Sequence, residues 1–504
     1  MSIVSGRHPG SDRGRKWAAR LALLGGCGVG VCVVVKPLLG LGAIAFGGGA
    51  VLLALHVRDR SRIFLSVLGL LLVGYALMGR GFAYLGPAPV YVGELVLGVG
   101  LLVLGVRGGV GVVPLWGLVS TLAFMAWGAV GVVAALPRYG LDALRDGVIW
   151  EYAAFALLCA AGVLHTRCTG AAIRVYAKLI PFLLCWLPVA VILSRVPPSW
   201  LPVAPGTQIP IVSVWGGDAA VHWVGIAVFW LLGVGRGQVG AGQVGWLTEW
   251  VRWVPWAVGC FVLTSGRAGL LTIIVPVALV VLLGQRVRWM KGAAVLVFIT
   301  VCLVVGRVSI HPGGEDRGRE ISPRQVVLNL KSVFGSPERE ELENTREWRL
   351  NWWTDIVRYT FAGKYFWLGK GFGINLASDD GYQVMGDESL RSPHNGHLTV
   401  LARMGVPGLL LWTILQGMFA IRCLSAYIRA RRIRQDWQAN LDLWLLSYWL
   451  AFMINSTFGV ALESPQGGIW FWSLIGFAMA ELGMQAHDMT YARVTQESVS
   501  PVIG

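Results

Sequence analysis

The sequence predicts an all-α fold, a polytopic bundle of about 12–14 transmembrane helices with one long outward-facing loop. Of the 504 residues, 55% are hydrophobic and only 14% are charged. The mean hydropathy is +0.64, which is not typical of a soluble domain. Apolar stretches of roughly 17–25 residues, enough to cross about 30 Å of hydrocarbon as a helix, recur along the whole chain.

The spans follow from these apolar stretches, taken in chain order. We place them near 18–35, 38–57, 63–78, 91–106, 110–134, 148–165, 175–195, 220–234, 246–264, 268–285, 292–306, 397–421, 441–459 and 467–485. If the first pair forms a re-entrant hairpin, or another pair is lost, about twelve spans remain and both termini stay on the same side. Glycine is abundant in these runs and allows close helix approach in lipid, which favours a packed bundle.

The formal net charge of +15 indicates a membrane topology and not a nucleic-acid partner. Lysine and arginine cluster in short loops between apolar runs rather than on one face. With the N-terminus inside, the even-numbered connections carry Arg58, Arg60 and Arg62, then Arg286, Arg288 and Lys291, then Arg429, Arg431, Arg432 and Arg434. This bias predicts that both termini are cytoplasmic.

Four parts follow from this topology: N-terminal transmembrane helices (1–306), a large outer loop (307–395), C-terminal transmembrane helices (396–486) and a cytoplasmic tail (487–504). A loop of this length in a tightly looped chain is usually functional or disordered. The aromatic clusters "EWRLNWWTDIV" and "GKYFWLGKGFG" in the loop argue against simple disorder.

Two arginines at the outer side are candidate ligands for an anion. Arg267, in "TSGRAGLL", has small neighbours that let a bulky group approach the backbone, although an interfacial arginine also snorkels toward water. Arg349 lies four residues before Trp353, so a helix places both on one face, where they suit phosphate or sugar recognition. The alternative is an amphipathic helix at the membrane interface, and Arg346 is close enough to compete with Arg349 for the assignment.

The stretch "SPHNGHLTVLARMG" carries two histidines one helical turn apart at the start of a span. His394 is a candidate general base because the imidazole pKa lies near neutrality, and His397 is a supporting or packing residue. A metal site needs a third ligand, and neither the eight cysteines nor the adjacent aspartates in "ASDDG" supply that spacing. No metal or other cofactor is therefore predicted.

A third arginine, Arg145, stands next to Asp146 in "LPRYGLDALRDGVIWEY", just outside the membrane before a span. An ion pair that fixes helix ends explains this pair, with substrate contact as the alternative.

Taken in order, "SGRAG", "WRLNWW", "LGKGFG" and "HNGHLTVLARMGVPGLLLW" resemble the O-antigen ligase and polymerase family of bacterial membrane glycosyltransferases. The resemblance covers about 260–480, including "LESPQGGIWFWSLIGFAMA", and "YGLDALRDGV" is similar to an early outer loop of that family. The presence of two histidines in "HNGHL" departs from the family, which commonly has one.

The resemblance implies a glycan donor carried on a polyprenyl (undecaprenyl) diphosphate and a lipid or glycan acceptor. It implies an active site at the periplasmic face of the bacterial inner membrane, in contact with membrane lipids. Arg267 and Arg349 would bind the diphosphate, His394 would be the base, and His397, Arg346 and Arg145 would be supporting residues. Direct displacement with inversion at the anomeric carbon, without a metal ion, is the implied reaction.

The resemblance does not separate a ligase, which moves a finished glycan to another acceptor, from a repeat-unit polymerase. From another class, a polytopic transporter or flippase also has many spans and few membrane charges. The lack of visible internal repeats and the placement of the candidate residues on one side argue against it. A scaffold or sensor with an outer ligand-binding loop is the third reading.

Overall fold

A computed structural model describes residues 60–86, 90–105, 109–235, 253–264, 266–283, 296–302, 309, 321–334 and 340–499. The α-helices in chain order are α1 (Arg60–Met78), α2 (Arg80–Ala83), α3 (Val92–Gly100), α4 (Leu115–Tyr139), α5 (Leu141–Glu151), α6 (Ala154–Thr166), α7 (Thr169–Leu193), α8 (Gly216–Leu232), α9 (Trp253–Leu263), α10 (Arg267–Leu283), α11 (Pro323–Phe334), α12 (Glu340–Phe361), α13 (Leu376–Asp380), α14 (Gly396–Arg432), α15 (Asp436–Phe458) and α16 (Pro465–Val499). A π-helical turn (Leu101–Gly105) continues α3.

The predicted all-α polytopic class is confirmed. Extended pairing within the described ranges consists of isolated bridges, among them Gly79 with Ser213 and Val203 with Pro210. Five described helices are long and apolar enough to cross a membrane: α1, α4, α7, α14 and the Pro465–Asp488 part of α16. A sixth span forms if α5 and α6, which meet at a 43° bend, cross together.

Most of the predicted spans coincide with described helices. Those near 91–106, 220–234, 246–264 and 268–285 match apolar helices that are shorter than a full span. The predicted spans near 18–35 and 38–57 lie outside the described residues, and only 296–302 of the span near 292–306 is described. The total of 12–14 spans therefore stays a prediction.

The ends of three helices meet around the start of α8. At the beginning of α10, a Cβ built on Gly269 would lie 3.7 Å from the Cβ of Ala220, near the beginning of α8. The same turn of α8 approaches the end of α15, since Asp218 accepts a hydrogen bond of 3.0 Å from the Nδ2 of Asn455. The starts of α8 and α10 and the end of α15 thus lie at one end of the bundle.

The span predicted over 397–421 is wrong in its limits and in its continuity. Helix α14 runs over Gly396–Arg432, and Gly405 interrupts it with a φ of 68° and a ψ of −171°. A Cβ at Gly405 would collide with the carbonyls of Phe366 and Trp367, so only glycine fits this left-handed position. The amide of Val406 donates to the Phe366 carbonyl at 2.8 Å instead of to α14, and Pro407 restarts the helix. The segment 396–404 is consequently a separate short helix.

The described part of the outer loop folds against this short helix. A small apolar core, distinct from that of the bundle, joins α12, α13 and the segment 396–404 through Trp352, Ile356, Leu376, Ala377, Leu390, Leu401 and Ala402. The indole of Trp352 stacks on the ring of Tyr382 at 5.3 Å and donates to Asp380 at 2.6 Å. Lys370 forms ion pairs with Asp379 and Asp380. The adjacent aspartates Asp379 and Asp380 therefore lie in the short helix α13, where they secure the loop.

Candidate active site

The turn that carries His394 is fixed on both sides. His394 has a φ of 52°, a left-handed conformation that residues other than glycine seldom adopt. On one side, the indole nitrogen of Trp353 donates to the Pro393 carbonyl at 2.9 Å. On the other side, the Asn395 side chain caps α14 by accepting from the amide of His397 at 3.1 Å. These contacts hold the His394 backbone in an unfavourable conformation, as is common at functional sites.

The carboxyl group of Glu463 supports the same turn from the α15–α16 connection. It accepts hydrogen bonds from the Thr399 hydroxyl at 2.8 Å and from the side chain of Ser392. Burial raises the pKa of Glu463 to about 7, and the positive charge of Arg403 opposes this rise. Residues on both sides of His394 are thus tied to one buried carboxyl group.

A second buried carboxylate, Asp146 in α5, joins the N-terminal half of the chain to this turn. Its two oxygens accept from Arg391, at 3.3 Å from Nε and 3.0 Å from Nη2. The Nη1 of Arg403 lies 2.9 Å from Oδ2, and the amide of Gly373 donates to the same oxygen at 2.9 Å. The Asp146 and Arg403 side chains are 6% and 1% exposed. Charge neutralisation and complete hydrogen bonding are what make such burial tolerable.

Arg349 is close enough to His394 to change its protonation. The Nη1 of Arg349, in α12, donates to the Phe458 carbonyl at the end of α15 at 3.4 Å. Burial of the imidazole and the positive charge of Arg349 lower the pKa of His394 to about 4. At neutral pH the imidazole is therefore uncharged and can accept a proton.

Replacing Arg349 with glutamine is expected to raise the pKa of His394 above about 4. The like charge beside the imidazolium is removed, whereas burial, the larger cause of the lowered pKa, remains. Diethyl pyrocarbonate reacts with neutral imidazole, so the pH dependence of His394 modification, followed by peptide mass spectrometry, reports this pKa. Arg346→Gln is the control, since Arg346 lies one turn away on the exposed side of α12. An unchanged titration midpoint in Arg349→Gln would show that the two groups do not interact.

The structure gives His397 a packing position. Its Nε2 donates to the Met453 carbonyl at 3.1 Å, and its Nδ1 accepts from the Trp412 indole at 3.2 Å. The fold-back at Gly405 places Trp412 in reach of this ring. Both ring nitrogens thus have hydrogen-bond partners within the protein, and the supporting role of this histidine stays a prediction.

Arg267 begins α10 and lies at the same end of the bundle as Arg349. The preceding turn is held by the Nδ2 of Asn329, in α11, which donates to the Thr264 carbonyl at 3.0 Å. α10 starts beside α8, and α8 starts beside the end of α15 that Arg349 contacts. The two predicted diphosphate ligands therefore belong to elements that meet at this end of the bundle. Both side chains are half-buried, whereas Arg346 and Arg145 are exposed.

The ion pair predicted next to the membrane involves Asp146, but its partners are arginines of the C-terminal half and not the neighbouring Arg145. Asp146 pairs with Arg391 and Arg403, while the charge of its neighbour Arg145 acts on Tyr84 and Tyr91.

Arg403, Arg391 and Glu463 were not among the site residues expected from the sequence. Arg403 carried a usable signal, because an arginine inside an apolar run is rare and normally has a specific partner.

Residues 254–413 match the family model described as O-antigen ligase. The matched segment contains Arg267, Arg349 and His394, while Asp146 and Glu463 lie outside it. No curated protein matches the chain. The resemblance to the O-antigen ligase family is confirmed over this segment. This segment is therefore similar to the O-antigen ligase family, and the helical membrane fold is consistent with that similarity.

Proposed function

We propose that the protein transfers a glycan from a polyprenyl diphosphate carrier to an acceptor hydroxyl, in the assembly of surface polysaccharide or lipopolysaccharide. The observation that carries the proposal is the position of His394 on a turn anchored to both halves of the bundle, within the segment that resembles O-antigen ligases and also contains Arg267 and Arg349. The active site faces the periplasm, and the protein resides in the bacterial inner membrane.

The acceptor hydroxyl is a poor nucleophile, and His394 activates it by taking its proton as the bond forms. The hydroxyl oxygen attacks the anomeric carbon, and the bond from that carbon to the phosphate oxygen breaks with its electron pair. The lipid diphosphate leaves with an added negative charge, and the proton remains on His394 until it passes to solvent. Direct displacement inverts the anomeric configuration.

Arg349 and Arg267 stabilise the charge that develops on the leaving diphosphate. Guanidinium groups suit this task because they stay charged and present forked donors to phosphate oxygens. In this arrangement the two arginines supply the charge stabilisation that a divalent cation gives in other transferases. The negative charge of the bound donor also stabilises the protonated form of His394. Binding of the donor therefore raises the pKa of His394 and makes it a stronger base.

Replacing Arg267 or Arg349 with alanine is expected to lower the release of lipid diphosphate by about 10²–10³-fold. The measurement uses purified protein in detergent with a polyprenyl diphosphate oligosaccharide and a set of acceptors. Equal release by wild type and both variants would contradict the proposed mechanism. The absence of release by wild type with every acceptor would contradict the proposed class of reaction. A ladder of products indicates a polymerase, and a single transfer product indicates a ligase.

A further inference from the structure

A second group of cationic and aromatic side chains lies at the same end of the bundle. We call it the outer aromatic cluster, and it consists of Arg80, Tyr84, Tyr91, Arg145 and Trp215. The guanidinium carbon of Arg80 lies 4.8 Å from the ring centroid of Trp215 and 5.6 Å from that of Tyr84. The rings of Tyr84 and Tyr91 meet edge to face at 5.1 Å. Trp215 is 40% exposed, so part of this surface is open to a ligand.

Arg145 adds a second positive charge to the cluster. Burial raises the pKa of the Tyr84 and Tyr91 phenols. The charges of Arg80 and Arg145 oppose the rise at Tyr84, the charge of Arg145 opposes it at Tyr91, and the carboxylate of Glu94 adds to it at both. The Arg145 side chain is exposed, while its neighbour Asp146 is fixed to Arg391 and Arg403. Arg145 is therefore presented to solvent from a helix whose position is set by the active-site ion pairs.

The backbone around Arg80 is also fixed. The amide of Arg80 donates to the Ser213 carbonyl at 2.9 Å, and the amide of Ser213 donates to the Met78 carbonyl at 3.0 Å. The bridge between Gly79 and Ser213 brings the start of α2 beside the segment that leads into α8. Arg80 thereby lies over the ring of Trp215, which is two residues after Ser213.

The cluster adjoins the start of α8, whose first turn contacts the end of α15. Trp215 is the N-cap of α8, and Asp218 in the first turn binds Asn455. Three residues after Asn455, the Phe458 carbonyl accepts a hydrogen bond from Arg349. Both groups of cations therefore border the junction formed by the start of α8 and the end of α15.

The chemistry of the cluster fits an anionic sugar. Two arginines recognise phosphate or carboxylate groups, and an exposed indole packs against the apolar face of a sugar ring. The donor diphosphate already has its ligands in Arg267 and Arg349. An acceptor hydroxyl that reaches His394 leaves the rest of the acceptor glycan to extend away from the donor, across the start of α8.

We propose that the outer aromatic cluster binds the anionic groups of the acceptor glycan and so selects an acidic, phosphate- or carboxylate-bearing saccharide. This inference rests on the proposed glycosyl transfer. The cluster contributes acceptor affinity and takes no part in the chemical step.

A binding measurement tests the cluster without the transfer reaction. The probe is a fluorescent oligosaccharide that bears phosphate monoesters, compared with the same oligosaccharide after phosphatase treatment, each titrated with detergent-solubilised protein without donor. We expect wild type to bind the phosphorylated probe about tenfold more tightly, and Arg80→Ala or Arg145→Ala to abolish that preference. Equal binding of the two probes by wild type, or binding of neither, overturns the proposal. Displacement of the probe by phosphatidylglycerol at equal concentration also overturns it, since the cluster would then be a lipid headgroup site.

The matched control is Arg138→Ala. Arg138 is exposed, and its guanidinium carbon lies 5.1 Å from the ring centroid of Tyr139, but it is outside the cluster. This variant loses the same charge and a similar ring contact, and it is expected to bind both probes as wild type does.

In the transfer assay, Arg80→Ala is expected to raise the acceptor KM about tenfold with the donor KM and kcat unchanged. A rise in donor KM instead assigns the cluster to the donor and overturns the proposal.

Discussion

Replacing His394 with asparagine is expected to lower kcat for glycan transfer by about 10²–10⁴-fold while the bundle remains folded. Asparagine tolerates the left-handed backbone that position 394 requires, with a φ of 52°, so the turn is retained. The amide side chain cannot accept a proton at neutral pH. The variant therefore removes the base without removing the hydrogen bonds that Pro393 and Asn395 make through their own atoms.

The neighbouring histidine provides the contrast. His397→Ala removes hydrogen bonds to the Met453 carbonyl and the Trp412 indole, so it is expected to lower the Tm in detergent. His394→Asn is expected to leave the Tm near that of wild type. Purified variants compared for Tm and for kcat of transfer separate the two roles. Retention of transfer by His394→Asn would exclude this residue as the base.

The fold class could be predicted because membrane spans are a local property of the sequence. Helices must satisfy every backbone group in lipid, so a long apolar run such as that of α4 is sufficient evidence of a span. The distribution of arginines between the loops also predicts the side of the membrane on which His394 and Arg349 lie, and that side stays a prediction. What a local pattern predicts is thus the presence and orientation of an element.

The contacts that build the site depend on which elements meet in space. Asp146 and Arg391 are separated by 245 positions, and nothing in either local sequence identifies the other. The break at Gly405 was also missed, because "LARMGVPGLLLW" has the apolar composition of a continuous span. Glycine and proline are tolerated inside membrane helices, so their presence does not by itself mark a break. The nearby carbonyls of Phe366 and Trp367 show why position 405 requires glycine.

The Asp146→Asn variant is expected to lose about 3–5 kcal/mol of stability, the largest structural effect of any single change at the site. The substitution leaves the buried Arg403 and the partly exposed Arg391 without their shared anion. It should also loosen the segment 371–394, because the Gly373 amide and Arg391 are both held by this carboxylate. Unfolding in detergent measures the loss, and hydrogen exchange of peptides from 371–394, with α1 as the internal reference, locates it.

A double-mutant cycle distinguishes the ion pair from general damage to the core. Arg403→Met removes the buried charge together with its hydrogen bonds to the carbonyls of Gly371 and Ile374. If the charges of Asp146 and Arg403 compensate each other, Asp146→Asn combined with Arg403→Met is less destabilised than the sum of the single variants. Strictly additive losses would mean that the two groups stabilise the fold independently. Less-than-additive losses would establish that the carboxylate in the N-terminal half holds the His394 turn of the C-terminal half through this arginine.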